Sequence, residues 1–111
     1  MKLDTIQKFG NLNKVHKVDS HRYEVISEST NELIAEVQFQ NGPRNDEGSI
    51  PGVLMCDLLE MCRDQLIGFQ KGEFSTIENE MALHHIAEAL LWLNKRAEDR
   101  LVRGVLGEMK K

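Results

Sequence analysis

Arg96, Arg100 and Arg103 recur at spacings of four and three residues, late in a long stretch of helical periodicity. On a helix those spacings set three guanidinium groups along roughly one face. A row of planar guanidinium forks is suited to phosphate, which it grips through paired N–H donors. The 111-residue chain is acidic overall, with a net charge of −4. Cations gathered in one row therefore have two readings: a solvated surface shared with Glu98 and Asp99, or a seat for an anion. Phe69 and Phe74 bracket a glycine turn and offer flat faces on which a base can stack. Asn79, in the first turn of the next helical stretch, carries an amide able to read a base edge or bond a ribose.

Other chemistry is scarce. His84 and His85 are adjacent, so on a helix they point about 100° apart and cannot grip one metal together. His84 and Glu88 share a face, but two ligands do not make a metal site. Cys56 and Cys62 lie in one helical stretch on different faces, which disfavours a disulfide between them, and neither sits in a nucleophile pattern. Gly42-Pro43-Arg44 and the stretch from Gly48 to Gly52 form no dinucleotide or phosphate-loop fingerprint. No nucleophile–base–acid constellation is present. The expectation is a protein that is not an enzyme and that uses neither a metal nor a cofactor.

The elements that must position these residues fall into two textures. Residues 1–40 are β-rich: Val15–Val18, His21–Ile26 and Leu33–Phe39 read as strands, with Asp19-Ser20 and Ser27–Asn31 as turns. In the third run Leu33, Ala35, Val37 and Phe39 fall on one face, the pattern of a sheet with one buried side. Residues 1–12 are open between a further strand and a loose arm. Residues 41–52 hold three glycines and both prolines and must be a loop. Residues 53–104 read as an antiparallel helical hairpin. Its first helix, about Val53 to Gln70, has a wide apolar stripe of Leu54, Met55, Leu58, Leu59, Met61, Cys62, Leu66 and Phe69. In the second, Ser75 and Glu78 are placed to form a capping box. Ile77, Met81, Ala82, Ile86, Ala89, Leu90, Leu93, Ala97 and Leu101 form its expected core stripe, and Gly104 suits the position just past the helix end. The fold class is α+β: a small N-terminal antiparallel sheet followed by a helical hairpin, in one domain over residues 1–111.

Composition bounds the partners. An acidic balance disfavours non-specific binding to DNA, RNA or an anionic membrane. The first residues, Met1-Lys2-Leu3-Asp4, lack the apolar run of a signal peptide and no stretch is apolar enough to span a bilayer, so the expected home is a reducing cytoplasm. The hairpin carries more apolar surface than a thin sheet and one partner helix can cover. The excess reads as a subunit interface.

Geometry constrains any ligand site further. Asn79 and Arg96 are seventeen residues apart on one helix, or roughly 25 Å along its axis. No small ligand touches both within one chain. If two chains pair their second helices antiparallel, the aromatics and Asn79 of one meet Arg96 and Arg100 of the other, twice, about a two-fold axis. Such a site suits a compact nucleotide with two phosphates.

The same residues carry a family resemblance. Phe69-Gln70-Lys71-Gly72-Glu73-Phe74, Glu78-Asn79, Glu88-Ala89-Leu90-Leu91-Trp92-Leu93, then Arg96, Arg100 and Arg103-Gly104-Val105 resemble the helical-hairpin signature of phage anti-defence signal sponges. The closer likeness is to the first Thoeris anti-defence family, whose hairpin is similar to that of the anti-CBASS cyclic-nucleotide sponges. It covers about residues 39–107, including Phe39-Gln40-Asn41-Gly42-Pro43, and strands before the hairpin fit the Thoeris branch. The resemblance implies a non-enzymatic protein acting in the cytoplasm of the infected bacterial host. It implies sequestration of a cyclic ADP-ribose isomer, glycocyclic ADP-ribose, at a dimer interface, with Phe69, Asn79, Arg96 and Arg100 as contacts. Some members also hold cyclic di- or trinucleotides where three chains of a hexamer meet, a site to which Arg44 would belong. Ser49-Ile50-Pro51-Gly52 and Met55-Cys56 depart from the pattern many members carry after that loop. The rival reading is a helical-hairpin oligomer whose arginines meet an acidic protein partner.

Overall fold

The computed structural model describes residues 1–6, 12–102 and 104. They fall into two compact units: Met1–Gly42 with Asp46–Val53, and Pro43–Asn45 with the chain from Leu54 onward. The architecture is α+β, a three-stranded antiparallel sheet followed by two helices.

In the first unit, β1 (Asn13–Asp19), β2 (Arg22–Ser27) and β3 (Leu33–Gln38) run in the order β1-β2-β3. Asp19 closes the first hairpin by accepting the His21 N–H on Oδ1 at 2.8 Å, the local turn chemistry for which aspartate is favoured. Asn31 adopts a φ of 61° in the second turn. Pairing aligns Val15, Val25 and Ala35 in one row and Lys17, Tyr23 and Val37 in the next. Tyr23 meets Phe39 edge to face at 5.6 Å. The expected buried side is only partly realised: β2 is half-buried throughout, whereas Leu33 to Glu36 of β3 are exposed. β3 is an edge strand, and a register shift near Val25 and Ile26 sets Leu33 opposite Ile26. Of the two readings of the N-terminus, pairing holds for its first residues. Met1 and Lys17 exchange main-chain hydrogen bonds, and the Leu3 N–H donates to the Val15 carbonyl, beside β1.

The expected loop after β3 closes on itself. Asn41 and Ile50 exchange both main-chain hydrogen bonds, at 2.9 and 2.8 Å, and Val53 bonds to Gln38 and Gln40. A Cβ on Gly52 would lie 2.3 Å from the Gln38 carbonyl oxygen, so only glycine permits that approach.

In the second unit, α1 spans Met55–Gln70 and α2 spans Ile77–Val102. α1 starts two residues later than expected because Val53 is held by the strand-like pairing. Asp57 Oδ2 accepts the Leu54 N–H at 2.8 Å and closes its first turn. α2 starts after Thr76, whose Oγ1 accepts the Asn79 N–H at 3.0 Å. The cap is therefore Thr76 rather than Ser75, and the expected Ser75–Glu78 box does not form. Gly104, with φ 73° and its N–H on the Leu101 carbonyl, ends the helix as expected.

Leu83, Ile86, Leu90, Leu93 and Ala97 are half-buried at alternating three- and four-residue spacing, a stripe narrow enough for one partner helix. Leu83 is an addition to the expected stripe. Ile77, Met81 and Leu101, placed in it by periodicity, are exposed. On α2, Ile77, Met81, Leu91 and Trp92 occupy the side away from that stripe. Among the described residues none is fully buried, and no helix is long and apolar enough to cross a membrane.

Candidate functional site

One glutamine builds the turn between the helices. Gln70, the last residue of α1, accepts the Thr76 N–H on Oε1 at 3.0 Å and donates from Nε2 to the Thr76 carbonyl at 3.0 Å. The same nitrogen donates to Glu80 Oε2 at 3.1 Å. The other oxygen of that carboxylate lies 3.3 Å from His84 Nε2. Between these anchors the main chain makes only longer bonds, Lys71 to Gly68, Gly72 to Phe69 and Ser75 to Gly72, at 3.2–3.3 Å.

That turn presents the aromatic pair. Phe69 and Phe74 meet edge to face with ring centroids 6.4 Å apart and planes at 76°, within the favourable range for such contacts. They remain 44% and 66% exposed, so ring faces stay open for stacking. Asn79 is tied in at two points: its N–H to the Thr76 hydroxyl, and its side-chain Nδ2 to the Phe74 carbonyl at 3.1 Å. A carbonyl oxygen only accepts, so the amide nitrogen must face it. Oδ1 is then the group left to offer, without a hydrogen-bond partner among the described residues. Phe69, Phe74 and Asn79 thus come together as one polar–aromatic corner.

The arginines stand at the far end. α2 is continuous from Ile77 to Val102, which keeps Arg96 roughly 25 Å along the axis from Asn79. With 26 residues against 16 in α1, α2 is about 39 Å long against about 24 Å, and its last turns run on past the start of α1. Arg96 is exposed and Arg100 half-buried; Arg100 is already engaged within the chain. The carboxylates nearest Arg96 in sequence are occupied by other side chains: Glu98 accepts from Asn94 at 3.1 Å, and Asp99 pairs with Lys95 at 3.3 Å. This weakens the reading of Arg96 as half of a surface ion pair. Arg103 lies outside the described residues. Arg44, exposed in a turn of the 41–52 loop, also has interactions within the chain.

Among the described residues no three His, Cys, Asp or Glu side chains gather as a metal site. His84 turns to Glu80 rather than to Glu88, and Cys56 and Cys62 are free thiols. Sequence reasoning missed Gln70 and Thr76. A hydroxyl three residues before Asn79 was an available signal for the cap, but nothing in the spacing of Gln70 announces a bond that depends on turn geometry.

The family model of the Acb2/Tad1 hairpin domain matches residues 31–98. That span contains Arg44, Phe69, Phe74, Asn79 and Arg96, and ends short of Arg100 and Arg103. The chain is also similar to a protein of Bacillus phage SBSphiJ7 named Thoeris anti-defense 1. The two are 45% identical over 78 residues, which make up 70% of this chain and 54% of that relative. The match therefore spans about half the length of the relative.

Proposed function

The chain belongs to the Acb2/Tad1 hairpin family, and we propose that it is a viral immune-evasion sponge that captures a nucleotide signal of bacterial Thoeris defence without cleaving it. The ligand is a cyclic ADP-ribose isomer, glycocyclic ADP-ribose. It is held between two copies of the chain: Phe69 and Phe74 stack against the base, Asn79 bonds a base edge or ribose, and Arg96 and Arg100 of the other copy grip the two phosphates.

The observation that carries this reading is the separation of two complementary half-sites on one rigid helix. Stacking and base-reading groups gather at the turn, and a guanidinium pair stands about 25 Å away. Antiparallel pairing of two α2 helices brings unlike ends together. Capture needs no general acid or base, in keeping with the residue types that meet here. Nanomolar retention requires about 12 kcal/mol of net binding free energy. Charge-assisted hydrogen bonds of about 1.5–3 kcal/mol each, together with base stacking of about 1–3 kcal/mol, are of the right order in a closed pocket.

Calorimetric titration of the purified protein with glycocyclic ADP-ribose tests the reading, followed by heat release and chromatography of the ligand. Tight binding, one ligand per chain and intact ligand afterwards are expected. Absence of binding overturns it, and recovery of a cleaved product would make the protein an enzyme instead.

A further inference from the structure

We propose that Gln70 is a positioning residue for the ligand site, the clamp that holds Phe74 and Asn79 in their binding arrangement before ligand arrives. The inference rests on the sponge reading above and assigns a role to a side chain that touches no ligand in it.

The reason lies in what else holds the turn, which is little. Phe74 is mostly exposed and packs edgewise on Phe69, so burial contributes only weakly to its placement. The main-chain bonds that close the turn, from Lys71 to Gly68, Gly72 to Phe69 and Ser75 to Gly72, are at the long end of the useful range. Gln70 supplies the short ones. Its amide takes both main-chain groups of Thr76, and Thr76 in turn caps Asn79, whose side chain returns to the Phe74 carbonyl. The path Gln70–Thr76–Asn79–Phe74 begins at the last residue of α1 and ends four residues later at the aromatic of the turn. It fixes both the ring and the polarity of Asn79, which is left offering an acceptor. Without the clamp, binding would itself have to order these groups, and that ordering appears as lost affinity.

Two variants test this in the full-length protein. In Gln70→Ala, the Thr76 amide loses its acceptor and should exchange with deuterium at close to the unprotected rate. Affinity for glycocyclic ADP-ribose should fall about tenfold, with helical circular dichroism unchanged. In Gln70→Glu, the Thr76 amide keeps an acceptor and stays protected. A carboxylate oxygen now faces the Thr76 carbonyl and Glu80, so affinity should fall at least as far. Adding Glu80→Gln to Gln70→Glu restores a donor to that corner and should recover part of the loss, which a merely structural role does not foresee.

Slow exchange of the Thr76 amide in Gln70→Ala overturns the clamp itself. Fast exchange with wild-type affinity overturns its positioning role, as does a double variant no better than Gln70→Glu. If the wild-type protein binds no glycocyclic ADP-ribose, the sponge reading fails and the positioning role with it, while the exchange experiment still decides whether the clamp exists.

Discussion

The two ends of the hairpin are organised on opposite principles. At the turn, side chains and main-chain groups are tied into one network that runs from Gln70 through Thr76 and Asn79 to the Phe74 carbonyl. At the C-terminal end of α2, order comes from the helix alone. Arg96 projects from a regular surface, and its acidic neighbours Glu98 and Asp99 are engaged by Asn94 and Lys95. Stacking and edge recognition demand fixed orientation, which a hydrogen-bonded turn supplies. Phosphate capture tolerates long, mobile guanidinium arms, because charge acts over distance and a planar fork loses little freedom per bond formed. A rigid helix holds the two chemistries too far apart to serve one ligand within a chain, and that spacing is the reason a second copy enters the proposal.

The sharpest way to break the comparison is complementation. Arg96→Ala alone should weaken capture by about 3 kcal/mol or more, a hundredfold or greater rise in Kd for loss of a bidentate phosphate contact, with the helical spectrum unchanged. Phe69→Ala should bind far more weakly than wild type. If the ends unite across two chains, mixing the two variants and allowing subunits to exchange restores one intact site per mixed dimer. Calorimetry should then count about a quarter of the wild-type sites at wild-type affinity. Recovery of no sites from a mixture proven to exchange would show that the ends do not serve one intersubunit ligand.

Smaller effects sharpen the contrast. Phe74→Ala removes the exposed member of the aromatic pair and should weaken binding by about 1–3 kcal/mol, read by the same titration. Thr76→Ala deletes the hydroxyl that caps α2 and should lower the stability of the folded chain by about 1 kcal/mol in a denaturant melt. Lys95→Ala breaks the exposed pair with Asp99 and should change stability by less than about 0.5 kcal/mol. It should also leave capture unchanged, because Lys95 projects from the same end as Arg96 but on another side of the helix. A large loss of binding there would mean that net charge, rather than the placement of Arg96, governs that end.

Legibility differed between the two units for a physical reason. Strand positions could be read to within a residue or two from alternation and turn residues, as in the Asp19–His21 turn. Which strand would be exposed could not, because alternation does not say which strand lies at the edge. In the hairpin, periodicity marked both helices and Gly104 marked the stop, yet Ile77 and Met81 entered the expected stripe and Leu83 did not. Apolar residues lie on more than one face of α2, so period alone cannot choose the one that meets α1. The candidate site divides the same way. Phe69, Phe74, Asn79, Arg96 and Arg100 stood out by residue type and spacing, whereas Gln70 did not.

By itself the sequence determined the order of elements, the helical spacing of Arg96 and Arg100, the aromatic bracket around Gly72 and the axial gap between Asn79 and Arg96. Each follows from properties that act locally: strand and helix periods, turn chemistry and the fixed rise of a helix. The tertiary structure alone decided that Asn79 turns its amide nitrogen to Phe74 and offers its oxygen, and that Gln70 ties the turn together. Those outcomes depend on which donor meets which acceptor once two helices have come side by side, and that distance is set by packing.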